Sequence, residues 1–308
     1  MVFSMHTMRL RAAVTVLAVC LQLMSTPAAQ ADSSSPTLAS YYERHMALQG
    51  DVAYGWVGRG QPQRLRAGVV QVGVGRDTWF ALTADGALLA WTDAPERATL
   101  LMRGVKRFAA GASGWFAIDA AGVLWHGTGN AAPQRIADDV VDACIGDSAD
   151  YYVTRDGALF VKGLAHRGQY GDGKLSASPG FVATARDAVA VRAHTGHAIH
   201  LRRDGVVMGT GGNRYGPLGA HGLGDKADRW GRVFDEATAI ATGSRHSLAI
   251  RADGGLWAWG EGFAIAPARI LDQVSAVAAG DSATIARRTD GTLWQWDGGG
   301  APRRLPFP

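Results

Sequence analysis

Cysteine is nearly absent from this sequence of 308 residues, occurring only as Cys20 and Cys144. An excess of one charge is lacking too: 31 Lys and Arg face 27 Asp and Glu, for a formal net charge of +4. Long apolar runs are missing apart from Ala12 to Leu23, which falls short of the roughly 20 residues that span a bilayer. There is no 3.6-residue periodicity of a helical repeat, no nucleophile or paired-acid motif, and no glycine loop leading from a strand into a helix as phosphate cradles do. These absences argue against a disulfide scaffold, a helical solenoid, a membrane-spanning protein and the common cofactor-dependent enzymes. No cofactor or metal is expected.

The single apolar run has a different meaning. Arg9 and Arg11 precede it, and Ala29-Gln30-Ala31 follows it with the small-x-small pattern of a processing site. This arrangement predicts a leader over 1–31, cut before Asp32, and export to the periplasm or the medium. The segment 32–308 then carries 29 basic and 27 acidic residues, almost neutral, without the clustered basic surface that nucleic-acid binding needs. It retains only Cys144, so no internal disulfide can form, but 277 residues can bury enough surface without one. Cys144 is expected as a small buried strand residue, and the mature chain as a monomer.

What is present is a repeat. Six times a small residue is followed eleven positions later by the glycine of an Asp-Gly-like turn: Gly75/Gly86, Gly111/Gly122, Gly146/Gly157, His194/Gly205, Gly243/Gly254 and Gly280/Gly291. The interval is constant while the period drifts through 36, 35, 48, 49 and 37 residues. In the fifth copy, small and β-branched residues lead to Gly243, then Leu248 and Ile250 alternate with smaller partners, Asp253-Gly254 turns the chain, and Leu256, Trp257 and Trp259 follow. That pattern reads as strand, turn, strand, hairpin, strand, with a fourth strand ending near Ile270. The last copy breaks the apolar alternation with Ile285/Arg287. A degraded copy around Trp56 precedes the six, with Leu38 to Tyr42 as its inner strand or as a helix.

Units of this length holding three or four short strands predict an all-β, seven-bladed β-propeller. Its repeats fall near 40–69, 70–104, 105–139, 140–187, 188–236, 237–273 and 274–308, within one domain spanning 32–308. Six blades plus an N-terminal extension is the alternative.

Gly243-Ser244-Arg245-His246-Ser247-Leu248-Ala249-Ile250 and Gly211-Gly212-Asn213-Arg214-Tyr215-Gly216-Pro217-Leu218-Gly219 carry a family likeness, as does Gly168-Gln169-Tyr170-Gly171-Asp172-Gly173. They resemble the regulator of chromosome condensation (RCC1-type) repeats, and the likeness covers about residues 45–308. It implies a propeller and a binding function. The nuclear member's nucleotide exchange on a small GTPase is not implied, because the wedge insertion is missing and the family histidine persists only at His197 and His246. The leader and short blades are more similar to the exported bacterial propellers of the family, one of which inhibits β-lactamases by covering the active site with one face.

In such a fold the residues after each repeat position emerge on one face around the axis. The candidate partner-binding set drawn from them is Arg76, Asp77, Trp79, Trp115, Asp147, Asp150, His197, Arg245, His246 and Asp281. Their variety exceeds what a core requires, and Trp and Arg carry interface energy when desolvated. Trp79 and Trp115, at equivalent positions, either face a partner or pack between blades. A second candidate comprises the longer segments 163–186 and 211–232, with His166, Tyr170, Tyr215, His221 and Trp230. His194, His197 and His200 are spaced for one helix face, but they cross a strand–turn–strand segment where that spacing loses its meaning. The expected function is protein binding by the loop face, with inhibition or masking of an extracellular enzyme as a concrete case. The alternative is carbohydrate binding or turnover at the channel mouth, with Trp79 and Trp115 holding a sugar. No catalytic residue is assigned.

Overall fold

Each repeat closes on itself as a four-stranded antiparallel meander. The computed structural model describes residues 37–129, 131–221 and 224–307, so the expected leader lies outside the described residues. Seven sheets cover 38–66, 69–102, 105–137, 140–185, 188–234, 237–271 and 274–305, here blades 1 to 7. The first strands of consecutive blades are neighbours, and blade 7 returns to blade 1, so the chain is a seven-bladed β-propeller with these strands innermost. Leu38–Tyr41 is a strand, not a helix, and completes blade 1. Among the described residues, no helix is long and apolar enough to cross a membrane.

Two kinds of glycine separate in the structure. The hairpin glycines Gly86, Gly122, Gly157, Gly205, Gly254 and Gly291 all have φ between 75° and 90°, the conformation a Cβ opposes. The repeat glycines eleven residues earlier do not. They are small because neighbouring blades meet there backbone to backbone. A Cβ on Gly75 would lie 3.0 Å from the carbonyl oxygen of Gly111, and one on Gly243 would lie 2.7 Å from that of Gly280. Gly111 faces the Ile145 carbonyl, Gly146 the His194 carbonyl, and Gly280 the Tyr42 carbonyl of blade 1.

There is no single core. Seven apolar clusters each join two adjacent blades, because successive residues of a strand point to opposite sheet faces. Trp79 packs toward blade 1 and its neighbour Phe80 toward blade 3. Buried polar side chains add links whose type changes around the ring. Gln71 exchanges two hydrogen bonds with the backbone of Phe108 in blade 3. Asp142 of blade 4 accepts from the Val191 N–H at 2.8 Å and from Arg192 at 2.7 Å, both in blade 5, and pairs with Arg107 of blade 3. Cys144 is buried as expected; desolvation pushes its thiol up to about 11, and its sulfur accepts from the Ala193 N–H at 3.2 Å.

Among the described residues blade 7 shares no strand with blade 1, and side chains link the two blades across the closing seam. Trp56 donates to Gln295 at 3.1 Å, Gln295 donates to the Gly58 carbonyl at 2.8 Å, and Arg59 pairs with Asp297 at 2.8 Å. Arg287, the residue that broke the apolar alternation, donates to the Leu48 carbonyl across this seam.

The two glycine roles predict different costs within blade 7. Gly280→Ala, which presses a Cβ on the blade 1 backbone, is expected to lose about 1–3 kcal/mol or more through overpacking. Gly291→Ala meets no atom within 4 Å and is expected to lose only the cost of its positive φ, about 1 kcal/mol. Chemical denaturation of the two variants measures the difference.

Candidate functional site on the loop face

The meander sends the connections between first and second strands, and between third and fourth strands, to the same end of the ring. In six blades the first connection is a four-residue loop. The repeat residue's N–H donates to the carbonyl three residues on: Gly75 to Thr78, Gly111 to Gly114, Gly146 to Ala149, His194 to His197, Gly243 to His246 and Gly280 to Ala283. Such a loop exposes its middle and returns the chain to the sheet one residue later.

That geometry divides the candidate residues. Arg76, Asp77 and Arg245 are exposed, and Asp281 is partly exposed. Trp79 and Trp115 already belong to second strands and are 8% and 1% exposed, so both are corrected from partner contacts to packing between blades. His197 and His246 are likewise corrected. Each is buried and reaches the next blade's hydroxyl, His197 Nε2 to Ser247 Oγ at 3.0 Å and His246 Nε2 to Thr284 Oγ1 at 3.0 Å. Ser247 donates to the Pro217 carbonyl, so it accepts from His197, which places that proton on Nε2. Burial pushes His197 down to about 3 and His246 down to about 4, keeping both neutral.

The three spaced histidines occupy three settings. His197 links blades, His200 lies edge-on to Trp230 with ring centroids 4.5 Å apart, and His194 stands at the axis. There the sequence reading missed two residues. Blade 1 replaces the four-residue loop with a tight turn at Tyr42, φ 49°, and sends Tyr41 and Tyr42 across the axis. Tyr41 Oη donates to Asp147 Oδ1 at 2.5 Å and Tyr42 Oη to Oδ2 at 3.3 Å. Tyr41 stacks on His194 at 5.3 Å, and His194 Nδ1 lies 3.1 Å from Thr195 Oγ1 and 3.2 Å from Ser244 Oγ. Desolvation, then the bond to Asp147, raises the Tyr41 phenol well above its usual value, so it remains the donor. Asp147 is thus tied into the mouth of the channel, a void of about 280 Å³ lined by all seven inner strands. The signal for these tyrosines was weak because blade 1 lacks a repeat glycine to align.

Asp150 is the other inward residue, on the second strand opposite Lys162. Burial raises its carboxyl to about 6, against the opposing pull of Lys162. Of the second candidate, Tyr170 is buried with its hydroxyl on the backbone of Gly163 and Ser178. Tyr215 is exposed, with Arg245 4.5 Å above its ring and Glu261 holding that guanidinium at 3.0 Å. Ile265, from the neighbouring loop of blade 6, is 65% exposed.

A ring of independently closed blades, joined by histidine–hydroxyl and glycine contacts and presenting one loop face, defines a repeat-built β-propeller. Residues 237–263 match the Regulator of chromosome condensation (RCC1) repeat. Its fold is similar to human WBSCR16, at 16% identity over 80% of this chain and 85% of that one, with a TM-score of 0.70. Prp20p from Saccharomyces cerevisiae is similar at 17% identity, covering 79% and 80%, with a TM-score of 0.67. So is the CRINKLY ectodomain of the Arabidopsis thaliana receptor kinase ACR4, at 17% identity, covering 89% and 98%, with a TM-score of 0.57. No curated protein matches the sequence. At these identities the likeness is one of fold.

The raised carboxyl of Asp150 has a signed consequence. Its folded value of about 6 exceeds the ordinary 3.8, so the folded state holds this proton more tightly. The associated stability is present below about pH 4 and is lost as pH rises through 6. Asp150→Asn is therefore expected to stabilise the protein by about 1–3 kcal/mol at pH 7.5 and to change little at pH 3.5. Thermal melts at the two pH values read this directly.

Proposed function

We propose that this chain is an exported protein-binding propeller that engages its partner with the loop face. One observation carries the reading. Of the eight large hydrophobic residues exposed among the described residues, Tyr42, Val57, Leu164, Leu175, Tyr215 and Ile265 all lie at this end of the ring. Val70 and Leu100 are the two that lie elsewhere. Apolar side chains gathered on one face, next to exposed Arg76, Arg214 and Arg245, have the composition of an interface. Loops tolerate such residues because the blades beneath them are rigid.

The neighbours support a binding role by analogy. Prp20p is described with binding properties to Gsp1p and histones, and the ACR4 domain is an ectodomain. Export rests on the leader pattern of residues 1–31. Masking of an extracellular enzyme is the specific case we favour, since a broad face with a plugged axis suits covering another protein's surface. Burial of Trp79 and Trp115 removes the aromatic platform on which a sugar site was expected.

Capture from the producing cells' medium with the purified mature chain tests this. A partner bound by the wild type is expected to weaken at least about 10-fold with Tyr215→Ala or Ile265→Ala. Val70→Ala, at the opposite end of the ring, is expected to leave it unchanged. Equal loss from Val70→Ala, or no loss from the loop-face variants, rejects the face. N-terminal sequencing of exported material is expected to begin at Asp32.

A further inference from the structure

A pocket of about 420 Å³ opens on the loop face between blades 2 and 3. Arg76 contributes from the inner loop of blade 2, and Arg97 from the short 3-10 turn Pro95–Arg97 before that blade's outer strand. Both side chains are exposed, and neither has an ion-pair partner among the described residues. Asp77 is the one acid in the lining, leaving a formal local charge of +1. Trp91 and Trp115 line the interior, 4% and 1% exposed. The indole N–H of Trp115 is buried with no hydrogen-bond partner among the described residues, although such a donor is costly to leave unmet.

The pocket therefore offers two guanidinium groups against a single carboxylate. A guanidinium is a planar fork that matches a carboxylate, and apolar walls strengthen that attraction by excluding water. With Asp77 at hand, the net charge suits one carboxylate better than a dianionic phosphate. We propose that this pocket receives a carboxylate supplied by an acidic side chain of the protein that docks on the loop face. The proposal rests on the reading of that face as a protein-binding surface and names the chemistry of one of its contacts. Arg76 and Arg97 hold the carboxylate, and the buried tryptophans shape the cavity behind it.

The test uses the mature chain with ¹⁵N-labelled indoles, the Trp115 signal being assigned by through-bond correlation. N-acetylglutamate N-methylamide is the probe and N-acetylglutamine N-methylamide its neutral counterpart, at pH 7 and low salt. The acid is expected to shift the Trp115 N–H signal with half-saturation on the order of 10 mM, and the amide is expected to leave it in place. Arg76→Gln and Arg97→Gln are each expected to weaken the response severalfold, and the double variant to abolish it. An equal response to both probes, a response that survives the double variant, or no response overturns the proposal. A silent pocket leaves the face reading standing, since that reading is tested at Tyr215 and Ile265.

Discussion

The inner turns of neighbouring blades meet around one axis at backbone contact, and the rest of the molecule follows from that approach. A side chain at Gly75, Gly111, Gly146, Gly243 or Gly280 would drive neighbouring blades apart at the point where they are closest. With those positions small, the inner strands can carry short residues such as Ala109, Ala143, Ala241 and Ala278 along the channel. Larger side chains then fill the widening space farther out, one apolar cluster between each pair of blades. Blade 5 is the exception: His194 keeps a side chain at the repeat position, where Tyr41 stacks on it. The irregular position and the irregular blade thus answer each other across the axis.

At six of the seven junctions the polar links fall into three kinds. From blade 2 to blade 5, Gln71, Arg107 and Asp142 reach the next inner strand. From blade 5 to blade 7, His197 and His246 reach the next blade's hydroxyl. Between blades 7 and 1 the links are Trp56, Gln295 and Arg287. The histidine–hydroxyl links and those of Gln71 are neutral, whereas the Arg107–Asp142–Arg192 group at the channel and Arg287 at the seam carry charge.

The fold was legible because its signals are local and repeated. Asp-Gly turns demand positive φ, and strands alternate, so six copies announce themselves in the sequence. The site was legible only in part. Arg76, Asp77 and Arg245 stand where the loop argument puts them, yet the next residues in the same loops do not. A four-residue loop closed by its own hydrogen bond spends two positions on the surface, and Trp79, Trp115, His197 and His246 fall just beyond them. Whether a side chain one step later is covered depends on the neighbouring blade, which no single repeat reveals. Tyr41, Tyr42 and the seam residue Arg287 sit where the pattern degrades. Departures from the repeat, rather than the repeat itself, marked the places with individual roles.

Closure without a shared strand also means that, among the described residues, no blade borrows a strand from another. Among the described residues every strand pairs only within its own blade, the isolated bridge between Asp172 and Arg229 aside, so the topology has no privileged first blade. Circularly permuted chains cut at the linker before Ala188 or Ala237 would need no strand to re-pair, provided the present ends were joined across the Trp56–Gln295 seam. The same independence lets one whole meander be duplicated or lost as a cassette, which is a route by which rings of this kind change in number without refolding their parts.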